Sequence, residues 1–273
     1  VVGDLPMPAW DLVDFDVYER HNRMTPLGPT RYAPLFTSRG CPSRCTYCHD
    51  VFGKGFRAQS PSQVVDEIEH LIERYGVNEF EVFDDIFNAD YKRTMAICDE
   101  ILRRNLKTRF CFPNGIRGDR MDRPLLQALA DVGTYHMAFA VESASPRIQK
   151  LIRKHIKLNK IAENITTAGE VGIFTWGFFM LGFPSERLDE LQATVDYAVH
   201  SDLHGAFFFS VVPFGGTALQ EEYAAPEMNS AYASPLFLGG TAGEADYHYA
   251  DNTMSEVSPE VLKKVQWTAY RRF

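Results

Sequence analysis

The amino-acid sequence predicts an α/β fold, namely a partial, TIM-like (β/α)6 barrel. Short apolar runs alternate with segments of helical periodicity between residues 35 and 212. Such alternation is typical of a parallel sheet built from βα units. The chain holds six of these steps, fewer than the eight of a closed barrel, so the sequence favours three quarters of a barrel with one open side.

Each step pairs a predicted strand with a predicted helix, except that the last strand has none. The predicted strands are 35–38, 79–83, 109–112, 136–141, 173–181 and 206–212. The predicted helices are 62–75, 91–104, 123–132, 145–153 together with 159–171, and 188–201. Ser60 before Pro61 is a favourable helix start, and Gly76 is a favourable helix end.

The βα rhythm also predicts the domain organisation. Residues 1–33 are proline-rich and predict an N-terminal arm or linker that packs on the domain. Residues 34–213 form the predicted barrel core. Residues 214–273 lose the rhythm, gain glycines and predict a substrate-side extension that ends in a helix. Both ends are abrupt, which indicates one part of a longer protein.

Composition limits the classes of function. The chain has 273 residues, 45% of them hydrophobic and 23% charged, with a formal net charge of −8. This charge argues against a general nucleic-acid surface. The sequence contains neither the roughly 18 consecutive apolar residues of a membrane span nor a signal peptide. We therefore expect a soluble cytoplasmic protein.

Three of the five cysteines lie within eight residues, directly after the first predicted strand. They are Cys41, Cys45 and Cys48. Such crowding fits a metal site in a reducing compartment better than a disulfide framework. Three thiolates on one short loop predict ligands of a four-iron cluster. The fourth iron then remains open to a substrate or cofactor.

The cysteine loop has two alternative interpretations. A structural zinc site uses four ligands, commonly in two separated pairs, and His49 lies too close to Cys48 for the usual spacing. An electron-carrying iron–sulfur protein would need a fourth cysteine near the loop. Cys98 lies within a predicted helix and Cys111 within a predicted strand, so we expect both to be buried small apolar residues.

The spacing C-x3-C-x2-C, with Tyr47 before the last cysteine, closely resembles the signature of the radical S-adenosylmethionine (SAM) superfamily. The resemblance implies a [4Fe–4S] cluster whose open iron binds the amino and carboxylate groups of SAM. It also implies that an electron from the cluster cleaves SAM to methionine and a 5′-deoxyadenosyl radical, which abstracts hydrogen from a substrate. The family's fold is the three-quarter barrel that the βα steps predict independently.

The resemblance implies further SAM contacts at the strand ends. Asp84 and Asp85 occupy the position of a motif that binds the SAM ammonium, although helix N-capping also explains aspartates there. Glu142 and Ser143 match a pair that binds the ribose. A carboxylate that leaves an apolar strand needs a partner, and ribose hydroxyls can supply two donors.

Three more residues belong to the predicted cofactor site. Lys154 resembles the basic residue that reaches the SAM carboxylate, better than Arg153 does, although a solvated basic helix face is an open alternative. Tyr47 is expected to place its backbone near adenine and its ring beside the cluster. Asn114 follows the third predicted strand and is either a contact to SAM or substrate or a turn residue. No catalytic residue is assigned beyond the cluster.

Several segments resemble the cobalamin-dependent branch of the family, among them the stretch from Pro8 to Leu12 and Gly177–Pro184. This branch implies cobalamin supplied by a domain outside this chain, because the sequence lacks an Asp-x-His-x-x-Gly motif. Methyl transfer is the leading reaction, and cyclisation or rearrangement is the alternative. A methylthiotransferase is a further alternative. Such an enzyme normally has three further upstream cysteines and a basic RNA-binding module, and this stretch contains neither. The implied partners are a small-molecule or natural-product-like substrate and a reductant such as flavodoxin or ferredoxin.

Overall fold

The computed structural model describes residues 5–20, 30–49, 51–223 and 253–273. Six strands form one parallel sheet in the order β1-β4-β5-β6-β7-β8, and β2 pairs with β3 in a separate antiparallel ribbon. The strands are β1 (Tyr32–Leu35), β2 (Ser38–Arg39), β3 (Arg57–Ala58), β4 (Glu79–Val82), β5 (Arg109–Ile116), β6 (Thr134–Glu142), β7 (Phe174–Leu181) and β8 (Gly205–Ser210). The predicted six-stranded βα architecture is therefore confirmed.

Helices follow the strands as the sequence predicts. They are α1 (Phe15–Glu19), α2 (Pro61–Tyr75), α3 (Tyr91–Arg103), α4 (Arg123–Asp131), α5 (Pro146–Leu151), α6 (Leu158–Glu170), α7 (Leu188–Val199), α8 (Ala218–Tyr223) and α9 (Pro259–Arg272). The start of α2 is a capping box in which Ser60 and Gln63 bond reciprocally, and such caps satisfy amides that lack helical partners. Its end is Gly76 in the left-handed conformation. Of the helices in the described ranges, none combines the length and hydrophobicity of a membrane-spanning segment.

The chain divides into two compact units. The first unit comprises Val1–Pro42, Phe52–Phe139 and Asn159–Trp176, and the second comprises Ser43–Val51, Ala140–Leu158 and Gly177–Phe273. In the first unit, parallel pairing brings Phe80 opposite Phe110 on neighbouring strands, and both rings are buried. Apolar side chains on both faces are typical of a parallel sheet that helices cover.

The described part of the N-terminal segment packs within the first unit. Trp10 and Phe15 are 7% and 2% exposed. The indole Nε1 of Trp10 donates to Glu67 of α2 at 3.1 Å, and the ring of Phe15 contacts Tyr75. Residues 5–20 of the predicted arm therefore pack on the first unit, whereas residues 1–4 and 21–29 lie outside the described part.

Two predicted strands differ from the structure by three residues or more at one end or both. The first sheet strand is Tyr32–Leu35 rather than 35–38, and it tolerates Pro34 because β1 is an edge strand, where a missing N–H costs no ladder bond. The third strand continues to Ile116 through an irregularity in its pairing after Phe112. Asn114 therefore lies inside β5 and not beyond its end.

In the second unit, β8 forms one edge of the sheet and α9 covers it. The backbone N–H of Phe208 donates to the Tyr270 hydroxyl at 3.0 Å. The carbonyl of Phe208 accepts from Gln266 Nε2 at 2.6 Å. Side chains of the helix thus satisfy the outward backbone groups of an edge strand. The predicted C-terminal helix is confirmed, but residues 224–252, about half of the predicted extension, lie outside the described residues.

Candidate active site

All five cysteines are thiols rather than disulfides. Cys41 and Cys45 are half-buried and Cys48 is exposed, whereas Cys98 and Cys111 are buried. The buried placement predicted for Cys98 and Cys111 is confirmed, and burial raises the pKa of Cys98 to about 12. Thiolates are the usual ligands of iron–sulfur clusters. The three accessible thiols of the loop therefore fit a cluster, and the two buried ones do not.

The described residues contain no ready-made group of three His, Cys, Asp or Glu side chains that could hold one metal ion. Such convergence is the geometry of a mononuclear site. In a cluster each thiolate binds a different iron, so cluster ligands need not converge on one point. A cluster therefore stays the prediction from the spacing of Cys41, Cys45 and Cys48.

The start of the cysteine loop depends on a glycine. Gly40 has a φ of +84°, and a Cβ at this position would lie 2.3 Å from the carbonyl oxygen of Gly55. The next amide, of Cys41, donates to the carbonyl of Gly53 at 3.3 Å. Only glycine combines a left-handed backbone with so close an approach. The neighbouring chain from Gly53 to Gly55 therefore fixes the path into Cys41.

The second half of the loop is held within the second unit. The amide of Thr46 donates to the carbonyl of Ile152 at 3.0 Å, and the carbonyl of Thr46 accepts from Leu219 at 2.7 Å. Thr46 is buried, and Cys48 closes a turn by donating its amide to Cys45. The two thiols therefore stand on a turn anchored by the ends of α5 and α8.

Tyr47, between those two cysteines, joins a buried ion pair. The ammonium of Lys154 lies 2.7 Å from Oε1 of Glu142. The same ammonium donates to the Tyr47 hydroxyl at 2.9 Å, and this hydroxyl donates to Glu142 at 3.1 Å. Burial and the neighbouring Glu142 charge raise the pKa of Tyr47 well above its ordinary value. Three residues predicted for the cofactor site thus lie together, and their contacts to SAM stay a prediction.

Glu142 adopts an unusual backbone conformation, with a φ of +66°. Non-glycine residues in this region carry strain that the surroundings must compensate. Gln149 compensates this strain, because its Nε2 donates to the carbonyls on either side of Glu142, those of Val141 at 2.9 Å and Ser143 at 2.5 Å. Gln149 was missed from the sequence, where nothing distinguishes it from other polar residues of a short helix.

Asp84 and Asp85 have different environments. Asp84 is 4% exposed and accepts hydrogen bonds from Thr37 and Ser38. Burial raises the pKa of the Asp84 carboxyl, which the hydrogen bonds from Ser38 and Thr37 oppose. Asp85 is exposed and accepts from the amide of Gly40 at 2.7 Å. The alternative that these aspartates cap a helix is wrong, because Asp90 caps α3.

The remaining predicted residues are placed as follows. The Ser143 hydroxyl is buried and accepts from the amide of Ser145 at 3.2 Å, so it shapes the turn before α5. Asn114 is exposed in the irregular part of β5. Arg153 is exposed and pairs with Glu222 at 2.7 Å. The structure therefore separates Arg153 from Lys154, and the basic residue at the buried site is Lys154.

A buried carboxyl that the sequence did not indicate follows β7. Glu186 has 0% exposure, and its Oε2 accepts from the amides of Gly182 at 2.7 Å and Phe183 at 3.0 Å. Burial raises the pKa of Glu186 to about 7. Glu186 therefore shapes the turn that contains Phe183, whose ring contacts Tyr47.

Comparisons with known proteins agree with this architecture. The family model of the radical SAM superfamily matches residues 35–198. The chain is 32% identical over 222 residues to an uncharacterized methyltransferase of Pyrococcus horikoshii, covering 81% of this chain and 46% of the relative. It is 33% identical over 232 residues to the cytidylyl-2-hydroxyethylphosphonate methyltransferase of Streptomyces wedmorensis, covering 80% of this chain and 42% of the relative.

The fold matches solved structures as well. One is the radical SAM methyltransferase TsrM of Kitasatospora setae with cobalamin and a [4Fe–4S] cluster bound, with a TM-score of 0.64 and 21% identity. This match covers 77% of the present chain and 44% of that protein. The present chain thus spans less than half the length of each of these three proteins.

Proposed function

This chain belongs to the radical SAM superfamily, and we propose that it is the core of an enzyme that attacks a small-molecule substrate through SAM-derived radical chemistry. The family uses a [4Fe–4S] cluster and SAM. When bound, the cluster supplies the electron that cleaves SAM to methionine and a 5′-deoxyadenosyl radical. The observation that carries the proposal is the C-x3-C-x2-C loop, whose second half is fastened next to the buried pair of Glu142 and Lys154.

We assign Cys41, Cys45 and Cys48 as the cluster ligands. Their support is their thiol state and accessibility, together with backbone anchors on both halves of the loop. A loop whose backbone is already bonded loses little further freedom when ligands bind, which favours binding.

The pair of Lys154 and Glu142 suits a zwitterionic, hydroxylated cofactor. A SAM carboxylate offers Lys154 a new anionic partner, and ribose hydroxyls offer Glu142 two donors in place of the ammonium. Each buried charge would exchange one partner for another, so neither would be left uncompensated. Tyr47 bonds to both members and would hold them in place during the exchange.

Asp85, Asn114 and Ser143 complete the proposed cofactor contacts. Asp85 suits the SAM ammonium, because its carboxylate is exposed beyond its bond to Gly40. Asn114 is exposed and has donors and an acceptor for SAM or substrate. Ser143 supports the turn after Glu142 and would act on ribose chiefly through that residue.

Methyl transfer with cobalamin is the reaction we favour. The two relatives described above are named methyltransferases, and the structure of TsrM has cobalamin bound. The cofactor would come from a domain outside this chain, to which we assign residues 1–33 as a linker, with residues 34–213 as the core and 214–273 on the substrate side. A small natural-product-like substrate, a flavodoxin or ferredoxin reductant and a cytoplasmic location complete the proposal.

The proposal is tested by anaerobic reconstitution of this chain with iron and sulfide, followed by reduction with dithionite in the presence of SAM. We expect a four-iron electron paramagnetic resonance signal that SAM perturbs, and 5′-deoxyadenosine as a product. The Cys45→Ala variant should yield neither. A protein that holds zinc, or a cluster whose signal ignores SAM, would contradict the proposal. Cobalamin binding by the full-length protein tests the branch separately.

A further inference from the structure

Both carboxylate oxygens of Asp84 accept hydrogen bonds from the segment that leads into the cysteine loop. Its Oδ1 accepts from the backbone N–H of Thr37 at 2.6 Å. Its Oδ2 accepts from the Thr37 hydroxyl at 2.6 Å and from the Ser38 hydroxyl at 2.5 Å. Short hydrogen bonds to a carboxylate are among the stronger ones in proteins. Both oxygens of a nearly buried side chain thus have protein donors.

Arg93 of α3 also binds Thr37, the residue whose N–H and hydroxyl donate to Asp84. Its Nη2 donates to the carbonyl of Thr37 at 2.9 Å, and its Nε donates to the carbonyl of Gln59 at 2.9 Å. The amide of Gln59 also donates to the Thr37 carbonyl, at 3.0 Å. The N–H, hydroxyl and carbonyl of Thr37 are therefore all bonded.

The charges in this cluster compensate one another. Arg93 is 8% exposed, and burial lowers the pKa of its guanidinium, which the negative charges of Asp84 and Asp90 oppose. A buried charge is tolerated when it has both a counter-charge and hydrogen bonds. Asp84 has both from the protein itself, so an ammonium ligand would have to displace existing donors. Asp85 differs, because it is exposed and, among the described residues, its Oδ2 accepts a backbone bond from Gly40.

We propose that Asp84 is a positioning residue that fixes Thr37 and Ser38, and thereby the start of the loop at Cys41, and that it does not bind the SAM ammonium. The two neighbouring aspartates thus have different roles. Asp84 holds the chain three and four residues before the first cysteine, and the carboxylate of Asp85 stays accessible to a ligand. The inference rests on the proposed function only in assuming that the cysteine loop holds an iron–sulfur cluster.

The first test uses cluster-free protein and follows amide hydrogen exchange of residues 37–41 by mass spectrometry. Asp84→Ala should raise exchange in this segment about 10-fold or more, because the bonds that oppose local opening are lost. Ser38→Ala removes one of these bonds and should raise exchange about 3-fold, which provides a milder variant if Asp84→Ala does not fold. Asp99→Ala, an exposed substitution on α3, is the matched control and should leave exchange unchanged.

The second test measures the reconstituted proteins. Asp84→Ala should bind less iron and sulfide and alter the cluster's electron paramagnetic resonance spectrum, while the loaded fraction keeps its SAM dissociation constant within about 3-fold. Asp85→Ala should keep its iron content and lose SAM affinity about 10-fold. Wild-type exchange in Asp84→Ala, or normal iron content with strongly weakened SAM binding, would overturn the proposal. A wild-type protein without a four-iron cluster would instead refute the proposed function. The exchange measurement would still decide whether Asp84 positions Thr37 and Ser38.

Discussion

The ammonium nitrogen of Lys154 lies 2.7 Å from the carboxylate Oε1 of Glu142, and these side chains are 7% and 9% exposed. Each group is the other's counter-charge in a place that water hardly reaches. Removal of one partner therefore leaves a buried charge without compensation, which is far more costly than loss of a surface pair.

This pair leads to a prediction for the cluster-free protein. Lys154→Met should lower the free energy of unfolding by about 3 kcal/mol, because the buried carboxyl of Glu142 would lose its counter-charge. Urea unfolding provides the measurement. The double variant Lys154→Met with Glu142→Gln should recover most of the loss. The neighbouring substitution Arg153→Met removes an exposed ion pair with Glu222 and should cost less than about 1 kcal/mol. Equal losses at 153 and 154 would refute the argument.

The cysteines should fall into two classes when they are replaced singly by alanine. Replacement of Cys41, Cys45 or Cys48 should abolish iron and sulfide binding, because a thiolate ligand is lost. Replacement of Cys98 or Cys111, which are buried, should leave the bound iron per chain unchanged. Quantification of iron and sulfide after reconstitution checks both classes. Retention of a full cluster by any loop variant would remove that cysteine from the ligand set.

Glu186 should make stability depend on pH. Burial raises its pKa to about 7 in the folded protein, so the folded state binds more protons than the unfolded state between its ordinary pKa and 7. Stability from this residue is therefore greatest in acid and falls as pH rises towards 7, by about 2–3 kcal/mol in total.

Urea unfolding between pH 5 and 8 tests this expectation. Glu186→Gln mimics the protonated form and should flatten the dependence over this range. Glu190 is a suitable comparison, since Arg147 lowers its pKa to about 2, and a depressed carboxyl pKa contributes stability that is lost only in acid. An identical pH profile for wild type and Glu186→Gln would show that the carboxyl ionises normally.

Two glycines in the first unit provide a matched steric test. Gly40→Ala places a Cβ 2.3 Å from the Gly55 carbonyl oxygen in a left-handed backbone, whereas Gly53 has a similar φ of +78° and nothing within 4 Å of a new Cβ. Gly53→Ala should cost about 1 kcal/mol from backbone strain alone. Gly40→Ala should cost at least about 2 kcal/mol more and reduce the iron bound on reconstitution. Thermal unfolding and iron analysis measure both, and equal effects would contradict the role of close packing.

The parts of the fold that could be predicted are those whose ends are marked by neighbouring residues in the sequence. Ser60, Pro61 and Gly76 mark both ends of α2 in the sequence, and the structure has the corresponding cap and left-handed residue. The first strand begins at Tyr32 and contains Pro34, a residue that disfavours central strands, and only the order of strands in the sheet shows that β1 is an edge. The continuation of β5 past Pro113 depends likewise on its neighbour β6.

The candidate site was predictable where motifs are contiguous and not where contacts are distant. The cysteine spacing and Glu142 stand out along the chain. The pairing of Asp84 with Thr37 spans 47 residues, and that of Tyr47 with Lys154 spans 107. No pattern in the sequence specifies such pairs, since they depend on how the strands and helices are brought together.

The bonds from Gln266 and Tyr270 to the backbone of Phe208 have a consequence for the behaviour of shortened proteins. An uncovered edge strand offers its amides and carbonyls to any other strand it meets. A chain cut at Ser258 would lose the helix that occupies those groups and would leave Phe208 ready to pair with the same strand of another molecule. We expect such a truncated chain to self-associate and precipitate during refolding, so α9 protects this edge strand against aggregation.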